Sequence, residues 1–457
     1  MMKKWIPHLG LVAAVMLSAG CGNALRSEYA PPVIDYPAHW RQAGAAGEAV
    51  PFSWRDFNDP ALIRWLDLVA AKNNDLALAA LRVYRAQLNE QLTGIEHQPV
   101  VSGTLSASRN RPLDRSLPWS KSSYATVSVS YEADLWGKLA RQQDAAIWER
   151  EATEQELDEA RLTLLANASS NYWQLEFLNQ RIAISQQSID HANDSLRLVT
   201  ARFQAGDVSA LDRIAAEQNV VNQENSHLAL LSERQSALNM QAVLLGAKSG
   251  STVVNPAHLP SGPFPQVNPG IPASVLACRP DIRALELRLR EALANVDVQR
   301  AQLYPAFSLT GSLGTSSNAL VRFLSNPVAA VDAGLTLPFL QWRTMNINVN
   351  IARNDYEQRV IDFKQALYAA MADVDNALTL RGQLLKQEQL LSHALELAQQ
   401  SESMYEIRYR NGATPINFWL DAQETRRMAQ VALDTNRFEQ LQNLAQIYLE
   451  LGGGDCQ

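Results

Sequence analysis

The chain has 457 residues, 47% of them hydrophobic and 19% charged, and a formal net charge of −7. Charges of both signs are mixed along it with no basic block, which leaves no electrostatic footprint for nucleic acid. Beyond the first residues no apolar run reaches the ~18 residues that a membrane helix needs, so the chain cannot cross a bilayer as a helical bundle. The seven histidines are scattered, and there is no phosphate-cradling glycine loop, nucleophile elbow or paired-histidine motif. No enzyme activity, no cofactor and no metal site are expected.

At the N-terminus, Lys3 and Lys4 precede a short apolar stretch and then small residues, the layout of a secretory signal peptide over residues 1–20. Ser18, Ala19 and Gly20 form a small-residue cleavage site before Cys21, similar to a lipoprotein signal, although Leu is more usual where Ser18 stands. Cys21 is therefore expected to be the acylated, palmitate-bearing first residue of the mature protein. The competing reading is an ordinary signal with an incidental cysteine. Gly22 rather than Asp follows, the choice that sends such lipoproteins to the outer membrane. Residues 21–59 are expected to form a lipidated, extended segment. With Cys21 lipidated, Cys278 and Cys456 remain either as a disulfide pair or as two separate thiols.

The next elements occur twice. Gln98-Pro99 leads into VVSGTLSASR and Tyr304-Pro305 into AFSLTGSLGT, an offset of 305 − 99 = 206. Gly206 and Gly412 repeat that offset within matching turns. Duplication of one unit explains both. We place the first repeat at 60–246, a Pro- and Gly-rich linker at 247–280, the second repeat at 281–454 and a short tail at 455–457.

Each repeat changes period twice. Ala61 to Thr93 contains no Gly or Pro and predicts a helix. Strands follow at about 100–110 and 123–135, with Val101, Gly103, Leu105 and Ala107 on one face against Ser102, Thr104, Ser106 and Ser108 on the other. The second repeat predicts strands at about 305–315 and 329–340. From Lys138 to Ala205 there is again no Gly or Pro, and a helix of that span is ~100 Å long. Leu175, Ile182, Ile189, Leu196 and Phe203 recur every seven residues, the seam of a coiled coil, and Ile214, Val221, Leu228 and Ala242 continue it after Gly206. Two antiparallel helical hairpins result, with tips at 206 and 412.

Strands of about ten residues with one apolar and one small polar face match a membrane β-barrel. Four strands cannot close alone, and an open edge in lipid leaves backbone groups unsatisfied. Two chains would give eight strands, whose interior side chains fill, whereas 3 × 4 = 12 leaves a channel. The expected fold is thus α+β: a homotrimeric 12-stranded β-barrel, four strands per chain, continuous with an α-helical coiled-coil barrel. Trp119 and Phe323 in the inter-strand loops, and Trp136, Tyr304, Phe339 and Trp342 at the strand–helix junctions, are placed like aromatic membrane belts.

Several short landmarks now line up: Trp54 to Leu62, Asn74-Asp75-Leu76 with Arg82 and Ala86, Arg279-Pro280-Asp281-Ile282 with Glu286, Tyr304-Pro305, Leu420-Asp421-Ala422 and the terminal glycines after Leu451. In order and spacing they resemble the TolC-like outer membrane factor family, in its lipidated, NodT-type branch serving resistance-nodulation-division efflux systems. The resemblance implies a passive outer-membrane channel docking on a periplasmic adaptor (membrane-fusion) protein and an inner-membrane pump, with a tunnel that is closed at rest. It also implies acidic rings past the tip turn. Asp421 matches one, while Phe418 stands where an acid is frequent, so the outer ring is absent or supplied by Asp212. Both carboxylates are candidate constriction residues, with helix capping as the plainer role. Arg202, Phe203, Gly206, Arg408, Arg410 and Gly412 are candidate adaptor contacts. Two other readings stand beside this one: a channel for type I protein secretion, and a periplasmic coiled-coil structural lipoprotein. The transported substrate is not readable.

Overall fold

The computed structural model describes residues 25–37, 40–41, 53–111, 118–251, 254–260, 264–267, 272–317 and 327–453. Cys21, Phe323 and Cys456 lie outside them. In chain order the elements are α1 (Pro60–Lys72), α2 (Asn74–Ile95), β1 (Val100–Asn110), β2 (Ser120–Ala133), α3 (Lys138–Ala205), α4 (Ala210–Leu244), α5 (Pro272–Cys278), α6 (Pro280–Ala301), β3 (Ala306–Ser317), β4 (Pro327–Thr336), α7 (Trp342–Arg410) and α8 (Ile416–Glu450). The two repeats agree in their arms: α3 and α7 have 68 and 69 residues, and α4 and α8 have 35 each.

Three expectations need correction. The helix read through Ala61 to Thr93 breaks at Asn73, which takes an extended conformation (φ −67°, ψ 129°). Asn73 donates its backbone N–H to Val69, ending α1, and its Oδ1 accepts from Leu76 N at 2.9 Å, starting α2. A short polar side chain that can bond its own backbone competes with the helix, and no Gly or Pro is required. The linker is not wholly irregular, since it contains α5. The heptads carry into α4 only at Ala242, which is 2% exposed. Leu175, Leu178, Ile189, Ala192 and Val199 of α3 are buried, but the buried face of α4 runs through Ala216, Val220, Gln223, Leu230 and Ala237. Ile214, Val221 and Leu228 are 52%, 57% and 64% exposed. A helix can bury one stripe and leave another apolar row open, and the buried stripe of α4 mixes Ala and Gln with Val220 and Leu230.

The chain divides into two compact units that each draw on both repeats. The first comprises Met1–Ile34, of which residues 25–34 are described, with Leu81–Glu156 and Arg283–Gln365. It holds a four-stranded antiparallel sheet in the order β1-β2-β3-β4. Ion pairs tie its helices: Arg288 of α6 reaches Glu149 and Glu156 of α3 at 3.2 and 2.6 Å, and Arg150 meets Glu90 of α2 at 2.6 Å. Near the N-terminus, Ser27 donates through N and Oγ to the buried carboxylate of Asp297, which Arg300 also meets.

The second unit comprises Asp35–Ala80, Leu157–Ile282 and Ala366–Gln457. Its main core gathers Leu62, Trp65, Leu66 and Val69 of α1 with Ala168, Tyr172, Trp173 and Phe177 of α3 and Leu441, Leu444 and Tyr448 of α8. Asp59 caps α1 by accepting from Ala61 N and Leu62 N, and the Tyr172 hydroxyl donates to its second oxygen at 3.0 Å. The arms of each hairpin are joined by one asparagine across the same pair of positions, with the donor on opposite arms. Asn171 Nδ2 of α3 donates to Ala237 O of α4, and Asn443 Nδ2 of α8 donates to Ala377 O of α7. Adding the 206 offset to 171 and 237 gives 377 and 443.

The Arg-Pro-Asp landmark proves to be a clamp. Arg279 donates to Asp281 through Nε and Nη2, at 3.1 and 2.9 Å, and to the Glu450 carboxylate through Nη1. Arg279 and Glu450 side chains are only 12% and 8% exposed. Removing one member of such a pair strands the other charge. Arg279→Ala is therefore expected to cost about 3 kcal/mol in chemical denaturation, with Arg279→Lys recovering only part because it lacks the planar fork.

Glu176 supplies a pH-dependent element of the same unit. It is 4% exposed and its Oε2 has no hydrogen-bond partner. Burial, and then the charge of Asp59, raise its pKa to about 8. The folded carboxyl thus keeps its proton where the unfolded one, near 4.5, loses it, so stability falls as pH rises from 4.5 towards 8. The melting midpoint followed by tryptophan fluorescence is expected to drop over that window, and Glu176→Gln to flatten the drop.

Candidate functional site

The sheet has two chemically opposite faces. Cross-strand partners such as Ser102 and Ser128, Ser108 and Ser122, and Ser130 and Thr310 put hydroxyls within 2.8–3.1 Å of one another on one face. The other face carries Leu105, Val127, Leu313 and Val331, which are 55–79% exposed in the single chain. The pairing order leaves β1 and β4 as edges. An apolar surface of this extent stays largely open in the single chain, while the hydroxyl face is suited to lining a wet space. Among the described residues no helix is long and apolar enough to cross a membrane.

Where strands meet helices, Trp136 stacks on Tyr304 at 4.8 Å and donates Nε1 to Pro305 O at 2.7 Å. Phe339 and Trp342 are 46% and 61% exposed. The sequence-expected aromatic group is thus half packed and half outward-facing.

Both hairpin tips close in the same way. Gly206 and Gly412 adopt φ of 83° and 72°, the left-handed region that a side chain resists. Asp207 N donates to Arg202 O and Ala413 N to Arg408 O, with Gly206 N to Phe203 O and Gly412 N to Tyr409 O inside them. This is the bond pattern that satisfies the last carbonyls of a helix before a reversal. Phe203, Arg408 and Arg410 are exposed, and Arg410 pairs with Glu406 at 2.6 Å. Arg202 is turned inward: its guanidinium lies 4.6 Å over the Tyr409 ring and donates to Tyr409 O and Arg410 O. It joins the two tips of one chain before it can join anything else.

The two candidate carboxylates differ in the same terms. Asp212 and Ser209 form a reciprocal cap, Asp212 accepting from Ser209 N and Oγ while Ser209 Oγ accepts from Asp212 N. Adding 206 places Pro415 and Phe418 at those two positions. The N-cap of α8 has no side-chain bond, and Phe418 instead stacks on Tyr405 at 6.0 Å. Asp421 is exposed, and its carboxylate makes no hydrogen bond or ion pair among the described residues. Trp419 and Ala422 are buried, so Phe418 and Asp421, three apart, share the outward face.

Sequence reasoning missed the packing that holds the tips together. Tyr409, Ile416 and Trp419 form a small core with Val199 and Ala216, in which Tyr409 stacks on Trp419 at 5.5 Å. It also missed the charge cluster beneath. Arg426 pairs with Glu402 at 2.5 Å, and Arg427 holds Glu424 below the ordinary carboxylate range by direct hydrogen bonding. The spacing of Glu424 and Arg427 was a legible helical pair, but Glu402 is brought in only by the fold. Among the described residues no group of three or more His, Cys, Asp or Glu could hold a metal ion.

Comparison with known proteins agrees with this architecture. The model of the outer membrane efflux protein family matches residues 65–247 and 271–453. The chain is 30% identical to the pyoverdine export outer membrane protein OpmQ of Pseudomonas putida over 440 residues, 93% of each chain. It is 27% identical to toxin and drug export protein A of Aggregatibacter actinomycetemcomitans over 401 residues, 88% of each. The open state of the MtrE outer membrane channel of Neisseria gonorrhoeae superimposes with a TM-score of 0.83 at 25% identity, covering 94% of this chain and 98% of that one. A two-faced sheet on duplicated helical hairpins, matched by one family model in both repeats, identifies this chain as a member of the outer membrane efflux protein family.

Proposed function

We propose that this protein is the outer-membrane conduit of a tripartite efflux system, in which a periplasmic adaptor and an inner-membrane resistance-nodulation-division pump deliver substrate to its tunnel. The observation that carries this is the sheet: one apolar face, one hydroxyl face and two open edges, joined to helices of 68 and 69 residues. Three chains close it as 3 × 4 = 12 strands, with backbone pairing complete in lipid. The helices then stand on the periplasmic side, where Phe203, Arg408 and Arg410 offer the adaptor an exposed apolar and cationic surface. Conduction is passive, and selection lies with the pump. One relative's name, toxin and drug export protein A, favours as a second reading a channel that also passes a toxin.

Within this reading Asp421 is the constriction carboxylate, because its side chain is unengaged, whereas Asp212 serves first as a cap. Three symmetry-related copies would raise local negative potential and favour cations. In planar bilayers, Asp421→Ala is expected to raise conductance and abolish block by divalent cations, with Asp212→Ala changing both less. Unchanged conductance and block in Asp421→Ala would remove it from the gate.

Lipid attachment at Cys21 and a bond from Cys278 to Cys456 belong to the same proposal. The bond is supported by Gly452, four residues before Cys456, which lies so close to Cys278 that an added Cβ would come within 3.1 Å of the Cys278 carbonyl oxygen. Mass spectrometry of the unreduced, digested protein is expected to yield the cross-linked Cys278 and Cys456 peptides. Two free thiols would end that part of the proposal.

A further inference from the structure

We propose that Arg109 and Lys121 bind the phosphate of a phosphorylated glycolipid in the outer leaflet, on the lipid-facing side of the sheet; this rests on the membrane orientation proposed above. The apolar face runs along odd-numbered residues of β1 and β2, from Val101 and Val129 through Leu105 and Ala125, and its last directly opposed pair is Arg109 with Lys121. Like charges facing each other across an antiparallel pair repel. Neither residue makes an ion pair among the described residues, and β1 and the first eleven residues of β2 contain no carboxylate. No carboxylate among the described residues of these two strands answers the pair at this end of the sheet, which leaves it open to an anionic ligand.

The position names the anion's carrier. From Ala133, at the helical end of β2, to Lys121 is twelve residues, about 40 Å along a strand or ~30 Å along the bilayer normal at the usual tilt. That is one hydrocarbon thickness, so the pair lies at the far headgroup level. Trp119 is 48% exposed beside it, as interface tryptophans are. The guanidinium carbons of Arg109 and Arg111 lie 4.5 and 5.7 Å over its ring. For Arg109, stacking uses the face of the guanidinium and leaves its N–H edge to a bidentate phosphate. Acyl chains lying on Leu105 and Val127 would present a headgroup phosphate at this height, so one molecule engages both parts of the surface.

Native mass spectrometry of the purified full-length protein tests this with three probes: bisphosphorylated lipid A, the same lipid without phosphates, and inorganic phosphate. The wild type is expected to prefer the bisphosphorylated lipid by about tenfold, and millimolar inorganic phosphate to leave it in place. Equal binding of the two lipids, or displacement by inorganic phosphate, overturns the proposal. The double variant Arg109→Gln/Lys121→Gln is expected to lose the preference and Arg343→Gln, at the opposite end of the strands, to keep it; a preference retained in the double variant overturns the site. Should the double variant not assemble, the wild-type comparison of the two lipids decides alone. Conductance of the same preparation reports separately on the channel reading, since a conducting protein without lipid preference sinks only the phosphate site.

Discussion

In a hydrocarbon environment every backbone N–H and C=O must find a partner within protein, and that requirement governs this chain from end to end. Its own pairing supplies three ladders among four strands and leaves β1 and β4 as edges. The shortage forces association, since two further copies provide the missing partners. The helices follow the same logic in water. Ile214, Val221 and Leu228 of α4 stay exposed in the single chain, an apolar row that association can cover.

Duplication meets this requirement economically, and the points where the repeats diverge locate specialisation. The asparagine bond that joins each hairpin keeps its pair of positions, while the asparagine itself moves from one arm to the other. At the tips, the capping box of Ser209 and Asp212 gives way to Pro415 and Phe418. One tip thus spends its carboxylate on holding a helix start, while the other starts on a fixed proline and carries Asp421 one turn deeper with its charge unengaged. Arg202 then bridges the two tips through Tyr409.

The short landmarks by which the family is recognised turn out to be mostly supports. Asp59 caps α1 and receives Tyr172. Arg279, Asp281 and Glu450 fasten the start of the second repeat to the end of the last helix. Such residues recur because a helix start or a buried charge has few acceptable partners. Surfaces that meet lipid or partner proteins have looser demands and leave fainter marks.

The sequence by itself determined the elements and their repetition. Periods of two and of seven, the absence of Gly and Pro over 138–205, and the 206-residue offset are local properties, and they set the strands, the long arms and the tip positions. It also determined that four strands per chain must be completed by other chains. Tertiary structure alone decided which face of α4 is buried and that Arg202 points inward, since both depend on the partners that the fold brings together, Tyr409 lying 207 residues from Arg202, and a periodicity carries no information about that choice. The break at Asn73 and the cap that occupies Asp212 act on neighbours three residues away, through side chains that bond the backbone and are invisible to a count of Gly, Pro and apolar residues.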